Sequence, residues 1–315
     1  MQLNKQRILR GKLGTFCAIA MGIISVVLCL ILSRDPAPDH LSDLCALAPR
    51  SVSRIPLARM NLLCSEGLRS TEPSPREEYL TILQVWAGRV RSETERHLYR
   101  FQRNPGEYQN SEAYFRMLML TVILAEDFGI SYNPGKRVTP GESGMNDGFF
   151  TDPTQVFLSG LLGPQHQGTC SSMPALYVAI GRELGYPLKL VTTKGHLFVR
   201  WDGHGDRFNI EATARGLVTH SDDYYRHWPF EITPEEEKAE GYLKSLTPPD
   251  ELAVFLSIRG MCLRDQSLYA EAAQAFAAAA QWNPACRSYG LMQRACLHRA
   301  GLVQQTESLK TENHL

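Results

Sequence analysis

The apolar positions of the chain fall into three successive patterns. From Leu13 to Leu32 the run LGTFCAIAMGIISVVLCLIL carries no charge, and at 1.5 Å rise per residue it is long enough to cross a bilayer core. After PSPREEY, the apolar residues Tyr79, Ile82, Leu83, Trp86 and Val90 recur at three- and four-residue steps, and no breaker follows until Asn104-Pro105. This predicts a long amphipathic helix. A second helix is predicted over 111–128, with Ser111 as N-cap and Gly129 as its stop. Residues 131–153 are dense in Gly, Pro, Asn and Asp and predict an irregular loop. A third helix is predicted over 170–184, ending at Gly185-Tyr186-Pro187. The pattern then changes to short runs rich in Val, Ile, Phe and Leu: LKLVTT, HLFVRW and RFNIEA, the last two joined by a DGHGD hairpin turn. Helices followed by an antiparallel sheet make an α+β arrangement.

Beyond ITPEEEKAEGYLKSLTPPDE the chain turns Ala-rich and helical. With Ala253 as the first position of a unit of about 34 residues, Gly260, Ala272, Phe276, Ala279 and Pro284 fall where a tetratricopeptide repeat places its small, aromatic and terminal Pro residues. A single unit cannot bury both its faces, so it is expected to dock on the preceding domain or to recruit a protein partner. Residues 287–303 read as a half-repeat or capping helix. At the other end, Lys5, Arg7, Arg10 and Lys12 precede the long apolar run and only Arg34 follows it closely. The positive-inside rule then puts the N-terminus in the cytoplasm and the globular part outside. The run is long for a signal peptide and lacks a small-residue cleavage site, so an uncleaved single-pass anchor is expected. The organisation read from these patterns is a cytoplasmic stub and transmembrane helix at 1–33, and a linker and N-terminal segment at 34–74. A catalytic-type domain follows at 75–232, the helical repeat at 248–303 and a polar tail at 304–315. In an oxidising outer space Cys45 and Cys64 become a candidate disulfide across IPLARMNLLC.

Composition narrows the function classes. Lys plus Arg and Asp plus Glu each number 33, so the net positive field that non-specific nucleic-acid binding requires is absent. Charged residues at 21% against 43% hydrophobic exclude a disordered chain. The eight cysteines contain no CxxC pair, which excludes a zinc ribbon or a thioredoxin-type site. No metal-ligand spacing occurs among the histidines. There is no Gly-rich phosphate loop, and MNDGFF lacks the alternating oxygen ligands of a calcium loop. No cofactor is implied, and any cysteine chemistry rests on one residue.

That residue lies in GTCSSMPALYVAIGRELGYPLKLVTTKGHLFVRWDGHGDRFNIEATARG. Cys170 opens a predicted helix, His196 opens a strand, and Glu211 ends the next one. A helix N-terminus offers positive dipole and unpaired N–H groups that favour a thiolate. His196 can take the thiol proton and return it as a general acid. A carboxylate on the neighbouring strand can hold the other imidazole nitrogen, fixing tautomer and orientation. Glu211 is the choice for that role, with Asn209 and Asp206 as alternatives, since strand alternation puts Asn209 and Glu211 on one face. The backbone N–H of Cys170, with Gln165 or Gln167 just upstream, is a candidate oxyanion site. Lys194 and Arg200 flank the His strand and are candidates to orient a carboxylate-bearing substrate. The aromatic clusters Asp222-Asp223-Tyr224-Tyr225 and Trp228-Pro229-Phe230 are candidates to line a cleft.

Over residues 155–217 the chain resembles the transglutaminase-like superfamily of papain-like thiol enzymes. The matching segments are GTC ending at Cys170, GHLFVRW around His196, and FNIEAT around Glu211. The family's usual third residue is Asp, and Glu at 211 is one methylene longer. The resemblance implies a papain-like core and a reaction in which the Cys attacks an amide carbonyl, a thioester forms, and an amine or water resolves it. It leaves transferase, deamidase and peptidase chemistry open. Together with the anchor, it gives the expectation of a membrane-anchored extracytoplasmic thiol enzyme acting on protein or peptide amides, at a bacterial inner membrane facing the periplasm. The alternative is a catalytically inactive scaffold of the same fold that binds a protein partner through its C-terminal helices.

Overall fold

The computed structural model describes residues 37–69, 75–136 and 148–312. Three short helices open the main unit: α1 (Leu41–Ala46), α2 (Pro49–Val52) and α3 (Leu57–Ser65). They occupy much of the segment read as a linker, and bury Leu44, Met60, Leu62 and Leu63 in the main core. The long amphipathic helix follows as α4 (Arg76–Arg103) and then α5 (Glu112–Glu126). Ser111 caps α5, its Oγ accepting from Tyr114 N–H at 3.0 Å. The predicted loop at 131–153 departs from expectation at its start. Ser131–Tyr132 (β1) pairs in parallel with Gln167–Gly168 (β2), and residues 137–147 of that loop lie outside the described residues. Between β1 and β2 run α6 (Pro153–Val156) and α7 (Leu158–Leu162).

The centre of the fold is α8 (Met173–Glu183), which is buried nearly all round, with Ala175, Leu176, Val178 and Ile180 fully inside. Gly181 is required where it crosses the sheet, because a Cβ there would lie 2.2 Å from Leu188 Cδ1. The sheet is an antiparallel meander of β3 (Leu188–Thr193), β4 (His196–Gly203) and β5 (Asp206–Ile210), in the order β3-β4-β5. Its alternation sorts side chains by face. Leu188, Leu190, Leu197, Val199 and Ile210 point to the main core with α8. Val191 and Phe198 turn the other way, into a second cluster with Tyr225, Ile232 and Leu243. His196 shares that second face by period two.

After the sheet come α9 (Asp222–His227), α10 (Pro234–Glu240) and three longer helices, α11 (Pro248–Asp265), α12 (Tyr269–Trp282) and α13 (Arg287–Glu312). At the α11–α12 crossing Gly260 leaves room for the Phe276 ring, three of whose atoms would lie 2.9–3.0 Å from a Cβ at 260. Leu252, Phe255, Ile258 and Phe276 belong to the same apolar cluster as Leu62 and Leu176. Polar contacts reinforce the junction. Arg182 of α8 grips the fully buried Glu251 through two hydrogen bonds of 2.9 and 2.6 Å. Arg259 donates to the carbonyls of Cys64 and Glu66.

The membrane reading is corrected here. The run from Leu13 to Leu32 lies outside the described residues, and no described helix is long and apolar enough to cross a membrane. The long described helices are interrupted by charge throughout, as REEYLTILQVWAGRVRSETERHLYRFQR of α4 shows. The described architecture is α+β with two small sheets and no transmembrane helix. The membrane partner, the single-pass orientation and the periplasmic placement rested on that run, and no described helix supports them.

Candidate active site

Cys170 sits in the tight turn that leads into α8. Thr169 Oγ1 accepts from Ser171 N–H at 3.2 Å, and Ser172 Oγ accepts from Thr169 N–H at 3.0 Å. The two bonds brace the turn on either side of Cys170. Both hydroxyls donate onward to the carbonyl of Gln155, at 3.1 and 2.9 Å. A turn braced in this way holds the Cys170 backbone three residues before α8 begins at Met173, so Cys170 lies ahead of the helix rather than opening it as the sequence predicted.

His196 stands at the first position of β4, after Gly195, whose φ of +73° no side-chain-bearing residue adopts cheaply. The Phe230 ring would also lie 2.6 Å from a Cβ there. The imidazole is buried and edge-on to Trp228, at 4.7 Å between centroids. Its Nε2–H donates to Glu211 Oε2 at 2.8 Å. Nδ1 is the ring nitrogen not engaged by Glu211, and Cys170, which lines the same cavity, helps hold the proton on the ring. Glu211 follows directly on Ile210, the last paired residue of β5, which is opposite Val199. The carboxylate therefore reaches His196 diagonally across the strands rather than from directly opposite, a longer span that the glutamate's extra methylene helps to cover. Glu211 is held in turn by Tyr225 O–H at 3.1 Å on Oε2, and by Thr213 N–H at 3.0 Å and Oγ1–H on Oε1.

Charge follows from these contacts. Burial penalises the imidazolium, but the Glu211 charge and the hydrogen bonds to Cys170 and Glu211 outweigh it and raise His196 to about 9. Burial likewise works against the Glu211 carboxylate, yet His196 and Thr213 bring it down to about 2. Each partner is thus held in its charged form by the other. Burial, with the Glu211 charge, pushes the Tyr225 phenol far up, so it remains a donor.

These groups open onto a cavity of about 320 Å³ lined by Cys170 and His196, by Thr213, Ala214 and Arg215 of the loop after β5, and by Tyr132, Trp228 and Pro229. The other sequence candidates lie elsewhere. Gln165 and Gln167 do not line it, and the Gln165 side-chain oxygen is taken by Gln155 Nε2 at 2.9 Å. Asn209 is bound to Arg200, to the carbonyl of His220 and to Asp222. Asp206 pairs with Gly203 at the hairpin end. Arg200 is buried, held by Asn209, the Leu243 carbonyl and Asp222, and Lys194 is bound to Glu236 at 2.7 Å. The cation that reaches the cavity is Arg215, which the sequence reading passed over. Thr213, Tyr132 and Arg215 were missed because each enters through a loop or a two-residue strand. The string ATARG directly after Glu211 was the available signal.

Two further expectations are corrected. Cys45 and Cys64 are free thiols. Burial pushes both up and keeps them protonated, with Cys64 facing the core from α3. Among the described residues neither a membrane-spanning helix nor the expected disulfide accompanies the membrane-anchored, extracytoplasmic form of the function. No group of three metal-ligating side chains occurs among them either. The chain matches no protein-family model, no curated protein and no solved structure.

Proposed function

We propose that Cys170, His196 and Glu211 form the centre of a cysteine acyl-transfer enzyme, an acyltransferase or cysteine hydrolase of transglutaminase-like type. The observation that carries this reading is the buried 2.8 Å contact between His196 Nε2 and Glu211, with His196 and Cys170 lining one cavity. In the first half-reaction the Cys170 sulfur attacks the carbonyl carbon of the acyl donor. His196, holding the thiol's proton, passes it to the departing nitrogen or oxygen as the C–N or C–O bond breaks. A thioester remains on Cys170. In the second half-reaction an incoming amine or water loses its proton to His196 and attacks the thioester, and the proton returns to the sulfur as the C–S bond breaks. Glu211 stays ionised throughout and keeps the imidazole in the tautomer that points Nδ1 at sulfur.

The test is acyl trapping. Incubation with p-nitrophenyl acetate, followed by peptide mass spectrometry, is expected to find an acetyl group on Cys170 in the parent. None is expected in Cys170→Ser, and the rate should fall by about a hundredfold or more in His196→Ala. Acetylation of Cys170 at equal rates in parent and His196→Ala would refute the proposed pair, and absence of any acyl adduct in the parent would refute the reading as a whole.

A further inference from the structure

Resting on that reading, we infer that the acyl compound this site accepts carries a carboxylate, and that Arg215 binds it. Among the residues that line the cavity, the charged side chains are His196 and Arg215. His196 is engaged by Glu211. Arg215 is exposed and has no hydrogen-bond or ion-pair partner among the described residues. The two cations that flank the His strand are occupied, Lys194 by Glu236 and Arg200 by Asp222 and Asn209. A guanidinium presents its N–H groups as a rigid fork that matches a carboxylate in two-point fashion, which an ammonium does not.

The loop that carries Arg215 is fixed from beneath by the catalytic carboxylate's own residue. Glu211 N–H donates to the Val218 carbonyl at 2.9 Å and closes the loop at its far end. At the near end, Ala214 N–H donates to the Glu211 carbonyl at 3.3 Å, and Thr213 N–H to Glu211 Oε1 at 3.0 Å. The base of the arginine is therefore positioned before any ligand arrives, so less ordering has to be met by binding. Trp228 and Pro229, which also line the cavity, are apolar apart from the indole N–H. The cavity thus offers one cationic corner and one apolar wall beside the thiol, which suits a small acyl compound with a single anionic group.

Two sources of that carboxylate share this chemistry. It can lie on the acyl side of the scissile bond or on the side of the departing amine. The experiment has two parts. First, the rate of Cys170 alkylation by iodoacetate, divided by the rate with iodoacetamide and normalised to N-acetylcysteine, is measured by peptide mass spectrometry. The normalised ratio is expected to fall about three- to tenfold in Arg215→Gln, to be partly restored in Arg215→Lys, and to fall furthest in Arg215→Glu. A ratio that is the same in parent, Arg215→Gln and Arg215→Glu, while alkylation still depends on His196, would overturn the carboxylate assignment and leave the thiol–imidazole reading standing. Loss of His196 dependence would overturn both. Second, protection of Cys170 from iodoacetamide is compared for succinamate, N-acetylglycine, succinamide and N-acetylglycinamide. Stronger protection by succinamate than by succinamide assigns the carboxylate to the acyl side. Stronger protection by N-acetylglycine than by its amide assigns it to the amine side. Equal protection by all four would overturn the inference.

Discussion

Replacing Glu211 with Gln keeps the shape of the side chain and the oxygen on the Thr213 side, but puts an amide nitrogen where Oε2 meets Tyr225 and His196 and removes the charge that faces His196. In the parent, burial lowers the imidazole while the Glu211 charge and the hydrogen bonds to Cys170 and Glu211 lift it, from 6.5 to about 9. That rise corresponds to about 3 kcal/mol in favour of the imidazolium, at about 1.4 kcal/mol for each factor of ten. Without the carboxylate charge the burial penalty persists, so His196 is expected to titrate well below its parent value in Glu211→Gln. The assay is NMR of the labelled imidazole, in parent and variant, from about pH 5 to about pH 10. An imidazole that still titrates near 9 in the variant would refute the argument that Glu211 holds the proton on His196. Stability carries the same signature. His196 is raised above its unfolded value, so its contribution is complete below pH 6.5 and is lost as pH rises through about 9. Glu211 is lowered, so its contribution is present above 4.5 and is lost as pH falls through about 2. The parent should show both slopes in denaturant midpoints, and Glu211→Gln should show neither.

Gly260→Ala sets helix propensity, which favours Ala by about 1 kcal/mol, against three Phe276 ring atoms within 2.9–3.0 Å of the new methyl. Overpacking of a tight core costs about 1–3 kcal/mol, so net destabilisation is expected in urea titrations, and a stabilised variant would show that the α11–α12 crossing yields easily. Arg182→Ala leaves the buried Glu251 carboxylate without its two-point partner and should cost about 3 kcal/mol. Arg182→Met combined with Glu251→Leu should recover most of that loss, and a double variant as unstable as the single one would assign the loss to packing rather than to charge.

Local signals carried much of this fold. The three- and four-residue spacing from Tyr79 to Val90 and the Ser111 cap located α4 and α5, and the alternation in LKLVTT, HLFVRW and RFNIEA gave β3, β4 and β5. The helices between 41 and 65 escaped notice because α1, α2 and α3 are too short to display a period, and they hold their shape by burying Leu44, Met60 and Leu63. The β1–β2 pairing was invisible because two residues on each side are joined across a long separation in sequence. At the candidate site, chain order brought out Cys170, His196 and Glu211, since a strand's period of two dictates which side chains share a face. The same period made Asn209 look eligible, and its place on the His strand did so for Arg200, but the third dimension shows both tied to Asp222 instead. Gln165 and Gln167 were proposed for closeness in sequence to Cys170, which does not decide where a side chain outside regular structure points.

The loop closed by Glu211 has a consequence for how such a chain can change over generations. Its fastenings are the side chain of Thr213 and main-chain groups of Glu211, Ala214 and Val218, whereas Arg215 adds a side chain that holds nothing in place. Position 215 can therefore be altered without loosening the loop, while a change at 213 disturbs the acid–base pair together with the cavity wall. On the proposed acyl-transfer reading, selection for a new substrate has a free site one side chain wide, next to a neighbour that it cannot touch without altering the chemistry.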